Sequence, residues 1–161
     1  MRSSSKKPVV LFDIDYTLFD TAFFKESKLL KHKIYEEVIG VLNSLNKIAI
    51  LGVFSEGNID FQIKKIKETN IDKYFAKDNT HVVLDKLLKL RGILEKYKDR
   101  KTFFVDDKLG ILYDAKKLLP DVFAIWVKRG PFAKNQREIL GYIPDTEVEN
   151  LSEVVRIVQE N

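Results

Sequence analysis

The sequence predicts a doubly wound α/β domain, a parallel sheet of about five strands with helices packed on both faces. Two observations lead to this prediction. Short runs rich in Val, Ile and Phe recur along the chain without polar alternation, which indicates strands buried on both faces. Amphipathic segments of helical length separate these runs, and an alternation of strands and helices is typical of parallel sheets.

Five apolar runs are the predicted strands, at residues 8–12, 49–55, 81–84, 101–106 and 121–127. Helices are predicted at 58–69, 86–97 and 108–119, where Ile or Leu recurs on one helical face. Residues 128–145 contain Gly and Pro and are predicted to form an irregular connection. This connection leads to a short strand and a closing helix within 146–161.

The segment between the first two predicted strands is longer than one helix requires. Residues 20–48 have room for two helices, near 21–33 and 35–46, which makes the segment a two-helix insert or a minimal lid. On the first helix, four apolar residues do not form one narrow stripe: Phe23, Phe24, Leu29 and Leu30. Either all four pack onto the sheet, or the helix overhangs the first strand with Phe23 or Phe24 facing a substrate.

Composition bounds the class of protein. The 161 residues suffice for one domain with a substantial core, and 45% apolar and 32% charged residues are typical of a globular protein. We expect residues 1–7 to be a flexible leader and 8–161 to be a single domain. The start of the chain is basic and polar without a long apolar run, so the expected location is cytoplasmic.

Charge and cysteine content narrow the possible partners. The absence of cysteine excludes disulfides and thiolate metal sites. The net charge of +4 comes from lysines that are scattered along the chain. This pattern is not a dedicated nucleic-acid motif, although the positive charge would favour an anionic substrate. No apolar run approaches the roughly 20 residues of a membrane helix. We expect a monomer or a weak homodimer with no membrane association.

Polar residues stand where the predicted strands end. Asp13 and Asp15 follow the first strand, and Ser55 ends the second; after the third and fourth come Lys86, Asp106 and Asp107. Each alone has an ordinary interpretation, as a turn, a helix cap or a solvated lysine. Because ligands of parallel sheets bind beyond the carboxyl ends of the strands, their shared position favours a site.

The residue types indicate phosphoryl chemistry. A carboxylate cluster is tolerable when a hard cation neutralises it, and oxygen ligands select Mg²⁺. A hydroxyl, an ammonium group and helix N-termini beside that cation form a phosphate site. One carboxylate can then attack phosphorus, and a second carboxylate can protonate the leaving oxygen and later activate water.

The same residues resemble the motifs of the haloacid dehalogenase (HAD) superfamily. "FDIDYTLFD" resembles the first motif, DxDx(T/V)L; "VFSEG", Lys86 and "FFVDD" resemble the second, third and fourth, in the family's order. The resemblance implies a Rossmann-like, three-layer α/β/α fold of the HAD type with a very small helical cap. The tyrosine in "DYTL" is similar to the magnesium-dependent phosphatases, a compact capless branch.

The resemblance also implies residue roles. Asp13 would be the nucleophile that becomes an aspartyl phosphate, and Asp15 the general acid/base. Thr17 would orient the loop, while Ser55 and Lys86 would bind phosphate. Mg²⁺ would be held by Asp13, the Asp15 carbonyl, Asp106 and Asp107, with Asp107 ahead of Asp106 as a direct ligand.

The implied function is a magnesium-dependent phosphohydrolase acting on a phosphate monoester, either a phosphorylated small molecule or a macromolecular phosphoester. Asp15 favours phosphoryl transfer over dehalogenation. The alternative is a phospho-accepting or catalytically weak HAD-like binding or regulatory domain. Tyr16 departs from the glycine that the family often has after its second Asp. Lys77 and Lys89 remain alternatives to Lys86.

Overall fold

A computed structural model of the chain describes residues 6–161, so most of the predicted leader lies outside the described residues. Six parallel strands form one sheet in the order β3-β2-β1-β4-β5-β6. They are β1 (Val9–Phe12), β2 (Ile50–Glu56), β3 (Thr80–Val83), β4 (Thr102–Asp106), β5 (Phe123–Val127) and β6 (Thr146–Val148). The predicted parallel α/β fold is confirmed, and the short strand expected near the C-terminus joins the same sheet as its sixth member.

Within residues 6–161, seven α-helices connect or flank the strands. They are α1 (Thr21–Glu26), α2 (Val38–Ile48), α3 (Ile59–Glu68), α4 (Lys86–Glu95), α5 (Leu109–Leu118), α6 (Gly130–Lys134) and α7 (Ser152–Glu160). Side-chain caps fix the starts of three of them, since carboxylate or amide oxygens accept a backbone N–H two or three residues on. These caps are Asp20 for α1, Asn58 for α3 and Asp85 for α4.

None of the helices within residues 6–161 combines the length and apolar character needed to span a bilayer.

The central strand β1 divides the core into two layers. All four of its residues are fully buried, and successive side chains point to opposite faces of the sheet. Val10 and Phe12 pack in the cluster that contains α2, α3 and α7, whereas Val9 and Leu11 pack with α4 and α5. The result is the predicted three-layer arrangement, with the carboxyl ends of β1 and β4 side by side.

The first helix is shorter than predicted. It ends at Glu26 rather than near residue 33, because Lys28 and Leu29 adopt left-handed backbone conformations, with φ of 57° and 64°, that a helix cannot continue. Leu29 and Leu30 are 62% and 79% exposed. The interpretation in which all four apolar side chains of this segment pack onto the sheet is therefore wrong; Phe24 is the one that is buried.

Candidate active site

The chain turns sharply after β1, and this turn separates the two acids of the first motif. The Asp13 N–H donates to the Val105 carbonyl at 2.9 Å, which extends the strand pairing by one residue. The next backbone N–H groups converge on the Ile14 carbonyl, from Thr17, Leu18 and Phe19. Tyr16 takes a left-handed conformation with φ of 57°. As a result Asp13 and Asp15 have different partners.

Lys86 joins two acids from neighbouring strands. Its Nζ lies 3.0 Å from Asp13 Oδ1 and 2.5 Å from Asp106 Oδ2, and the side chain is buried. Burial would lower the pKa of Lys86, but the two carboxylates outweigh it and raise the pKa above its ordinary range. Lys86 is therefore a charged ammonium between Asp13 and Asp106, whereas Lys77 and Lys89 are exposed.

Asp107 completes a carboxylate cluster that fits a cation. Asp13, Asp106 and Asp107 each offer an oxygen within 4.8 Å of the others. Burial, followed by the charges of its two neighbours, raises the pKa of Asp107 to about 9. Burial also raises the pKa of Asp13 to about 6, against the attraction of Lys86. If all three were ionised, the carboxylates would face one ammonium with uncompensated negative charge, so a hard divalent ion suits the cluster.

The two adjacent acids after β4 differ in their partners. Asp106 uses one carboxylate oxygen for Lys86 and the other for the Lys108 N–H, at 2.8 Å. Asp107 Oδ2 is buried and has no hydrogen-bond partner within residues 6–161, although the Asp107 carbonyl accepts from Trp126 Nε1 at 2.9 Å. An orphaned buried carboxylate oxygen is costly, so a ligand for it is expected. Asp107 thus has a free ligand atom and Asp106 does not.

Asp15 is held by residues that sequence reasoning missed. Its carboxylate accepts from Lys65 Nζ at 2.6 Å, and from Gln62 Nε2 and Thr21 Oγ1 at 2.9 Å each. Burial pushes the pKa of Asp15 upward, but the Lys65 charge and these hydrogen bonds outweigh it and leave the pKa below its ordinary value. Asp15 is therefore a carboxylate at neutral pH.

Ser55 and Thr17 are both buried. The Ser55 hydroxyl accepts from Gln62 Nε2 at 3.2 Å, so its own proton remains available to a ligand. The alternative in which Ser55 caps the following helix is wrong, because Asn58 caps it. Thr17 Oγ1 has no partner among the described residues, and the Thr17 carbonyl accepts from Arg129 Nη1 at 3.1 Å.

The acids of the first and fourth motifs and Lys86 lie beside a pocket of about 400 Å³. Its polar lining includes Asp13, Asp15, Lys86 and Asp107, together with Thr21, Lys25, Glu56, Lys65 and Lys108. Four aromatic residues line its walls: Tyr16, Phe24, Phe61 and Phe132. Phe24 borders this pocket and Phe23 does not. The other side of Phe24 stacks on His32, with ring centroids 5.0 Å apart. Within the predicted two-helix insert or minimal lid, the short helix α1 thus brings its one buried phenylalanine to the pocket wall, and the lid role stays a prediction.

Residues after β5 support the loop after β1. A Cβ atom on Gly130 would lie 2.4 Å from Tyr16 Cδ1, and Gly130 has φ of +71°, so only glycine leaves room for Tyr16 there. The neighbouring Arg129 places its guanidinium 3.9 Å from the Tyr35 ring centroid and forms an ion pair with Glu37. Sequence reasoning placed this region in an irregular connection and assigned it no role.

We expect the metal-free protein to melt at a lower temperature at about pH 9 than at about pH 6, by roughly 5 °C or more. The pKa of Asp107 is about 9 in the folded protein and 3.8 in its ordinary state, so between these values the folded protein binds more protons than the unfolded one. Its contribution to stability is full below pH 3.8 and is lost as the pH rises through about 9. Scanning calorimetry in a chelator measures this directly.

Asp107→Asn is the control for that pH dependence, because it keeps the shape and removes the titrating proton. The difference in melting temperature between the two pH values should shrink in this variant. A difference that is absent in the wild type, or unchanged in Asp107→Asn, would contradict the carboxylate cluster as its source.

The fold is similar to solved structures of HAD-like hydrolases. A protein from Burkholderia xenovorans, provisionally classed as a haloacid dehalogenase-like hydrolase, has a TM-score of 0.79 at 20% identity, over 96% of this chain and 97% of its own. A provisionally classed phosphatase from Clostridium difficile has a TM-score of 0.73 at 19% identity, over 96% and 100%. A provisionally classed HAD-hydrolase from Bacillus subtilis, solved bound to magnesium, has a TM-score of 0.69 at 11% identity, over 96% and 99%.

No protein-family model matches the sequence, and no curated protein matches it either. At these identities the structural likeness shows the fold. The chain therefore has the HAD-type three-layer fold that the resemblance of its motifs implied.

Proposed function

We propose that the protein is a magnesium-dependent phosphohydrolase that cleaves phosphate monoesters through an aspartyl phosphate on Asp13. The observation that carries this proposal is the base of the pocket, where Asp13 lies beside the charged Lys86 and the unpartnered oxygen of Asp107. A carboxylate, an ammonium and a cation site at one pocket are what phosphoryl transfer to a carboxylate requires.

The chain's own residues account for both steps. The Asp13 carboxylate attacks phosphorus, a new carboxylate–phosphorus bond forms, and the bond from phosphorus to the ester oxygen breaks. Asp15 first takes a proton from solvent and gives it to the leaving oxygen; as a carboxylate again, it then takes a proton from the water that releases phosphate from Asp13. Its carboxylate state, held by Lys65, matches the second of these tasks. Lys86 holds the nucleophile and the phosphate together.

Other residues bind and orient the phosphate and the ion. Ser55 offers its hydroxyl proton to a phosphate oxygen, and Thr17 keeps the loop in shape. Asp13, Asp107 and the Asp15 carbonyl would hold Mg²⁺, with Asp106 behind them because both of its oxygens are engaged. When bound, Mg²⁺ would neutralise charge on the phosphate and the carboxylates. The magnesium-bound structure of similar fold from Bacillus subtilis supports this assignment.

Aromatic walls favour an organic leaving group. Tyr16, Phe61 and Phe132 present apolar ring surface above a charged base, and such surface excludes water and contacts a carbon skeleton. The provisionally classed phosphatase among the similar structures supports a phosphate ester as the substrate.

The test is phosphate release from a small aryl phosphate, measured against magnesium concentration. Turnover should require magnesium, and Asp107→Ala should raise the concentration for half-maximal rate by roughly tenfold or more, because a charged oxygen ligand is lost. The exposed Asp99 provides a matched control, and Asp99→Ala should leave the requirement unchanged. An unchanged requirement in Asp107→Ala would move the direct ligand to another residue.

A second candidate is a phospho-accepting or catalytically weak regulatory domain. The ion pair between Asp15 and Lys65 favours it, because an acid/base group that stays engaged by Lys65 would hydrolyse the aspartyl phosphate slowly. The two functions are separated by quenching the reaction in acid and counting, per chain, the phosphate that stays bound and the phosphate that is released. One phosphate retained per chain without further release supports this candidate, and many released per chain support the phosphohydrolase.

A further inference from the structure

A second cavity, of about 650 Å³, lies beyond the aromatic wall of the active-site pocket. The segment 136–144 forms most of it, together with Leu109, Trp126 and Glu147. We call this cavity the 136–144 groove. The proposed function uses none of the residues of this segment.

Shared lining residues link the groove to the active-site pocket through a third depression. Phe132 lines the active-site pocket and also a shallow depression formed with Pro131 and Asn135. Gln136 and Arg137 line that same depression and the 136–144 groove. Phe132, Gln136 and Arg137 therefore mark a route from the pocket to the groove for a chain whose phosphorylated residue enters the pocket.

Three large apolar side chains along this path are exposed. Leu140 is 100% exposed, Ile143 is 84% exposed and Phe132 is 51% exposed. Large apolar side chains that are this exposed are typical of binding surfaces when they line one groove, as Leu140 and Ile143 do. The Tyr142 hydroxyl, which belongs to the same groove, is buried without a hydrogen-bond partner in the described part of the chain. The groove thus offers exposed apolar side chains to a ligand.

The charge of the groove separates a polypeptide from a nucleic acid. Glu138 and Glu147 line it with a single basic residue, Arg137, and Lys128 pairs with Glu147 from beside it at 3.3 Å. A nucleic acid would bring a phosphate to the groove at every step, against these two carboxylates and without a row of cations. A polypeptide with apolar and basic side chains fits the exposed apolar residues and Glu138, the groove carboxylate that Lys128 does not pair with.

We propose that the 136–144 groove binds the polypeptide that flanks a phosphorylated residue, so that the substrate of the active site is a phosphoprotein with apolar and basic residues beside the phosphate. This rests on the proposed function. The phosphoryl group passes from the side-chain oxygen of the polypeptide to Asp13 and then to water, which leaves the free hydroxyl on the polypeptide.

The test compares one phosphorylated residue in two settings. One substrate is the phosphorylated amino acid with both ends capped, and the other is a peptide of about 12 residues, roughly 40 Å when extended, with Leu and Arg on both sides of that residue. We expect kcat/KM for the peptide to exceed that for the capped amino acid by roughly tenfold or more, mainly through KM.

Variants then locate the effect in the groove. Leu140→Ser combined with Ile143→Ser removes two exposed apolar side chains and should reduce the peptide's advantage by roughly fivefold. The same variant should hydrolyse the capped amino acid and a small aryl phosphate as the wild type does. Leu88→Ser, at a leucine that is 76% exposed on α4 outside the groove, is the matched control and should change neither substrate.

The outcomes distinguish this inference from the proposed function. A fluorescently labelled form of the same peptide can be bound to Asp13→Asn and followed by anisotropy, which needs no turnover. If this peptide binds the groove but the wild type shows no phosphatase activity, the groove inference is supported and the phosphohydrolase proposal fails. Equal kcat/KM for peptide and capped amino acid, or equal losses in the groove and control variants, overturns it. Tighter binding of a 5′-phosphorylated oligonucleotide than of the peptide also overturns it, in favour of a nucleic-acid substrate.

Discussion

Asp13→Asn is expected to lower turnover of a small aryl phosphate by roughly a thousandfold or more. The amide keeps the shape of the carboxylate and cannot form the aspartyl phosphate. Its oxygen can still accept from Lys86, so the pocket keeps its geometry. Burial already raises the pKa of Asp13 to about 6, which means that the charged form is disfavoured in the metal-free fold. The loss of charge should therefore leave the melting temperature unchanged or higher.

Phosphate release and calorimetry on the same preparation measure both quantities. A variant that stays folded and loses turnover supports Asp13 as the nucleophile. Turnover close to that of the wild type, in a preparation free of contaminating phosphatase, would contradict it.

Lys86→Ala should impair both activity and stability, whereas Lys89→Ala should change neither. Removing the ammonium leaves Asp13 and Asp106 facing each other as buried carboxylates without a cation, and breaking a buried ion pair in this way costs about 3–5 kcal/mol. In a chain of this size that corresponds to a fall in melting temperature of roughly 10 °C. Turnover should fall by roughly a hundredfold or more, because phosphate loses its ammonium partner.

Lys89 lies three residues later on the same helix and is exposed, so its replacement controls for the loss of one lysine from α4. Its effect on the free energy of unfolding should stay within about 0.5 kcal/mol. The reverse ranking of the two variants in either measurement would show that Lys89 is the phosphate-site lysine.

The positions of the acids could be predicted because they depend on sheet topology alone. Apolar runs identify buried strands, and the ends of parallel strands meet at one edge of the sheet. The pairing of β1 with β4 places Phe12 beside Val105, so the residues that follow, Asp13 and Asp106, come together without any information on side-chain packing. Lys86 is brought to the same edge because it begins the helix after β3.

The partners of Asp15 could not be predicted from the same signals. Gln62 and Lys65 are buried on α3. Ile59, one of the isoleucines on the predicted apolar face of this helix, is 48% exposed. Polar residues on an amphipathic helix are normally solvated. Only the three-dimensional contact with Asp15 shows why α3 turns Gln62 and Lys65, rather than Ile59, toward the interior. The end of α1 was also missed, since Lys28 and Leu29 carry no glycine-like signal for a left-handed turn.

The support that Arg129 and Gly130 give to the loop after β1 has a consequence for how the protein is made. The hydrogen bond from Arg129 to the Thr17 carbonyl joins residues 112 positions apart. On the ribosome the two acids of the first motif emerge early, long before the residues that brace the loop carrying them. Until β5 docks beside β4, Tyr16 has no glycine to lie against and the Thr17 carbonyl has no guanidinium. The loop that carries Asp13 and Asp15 is therefore braced late in biosynthesis, when the sheet is nearly complete.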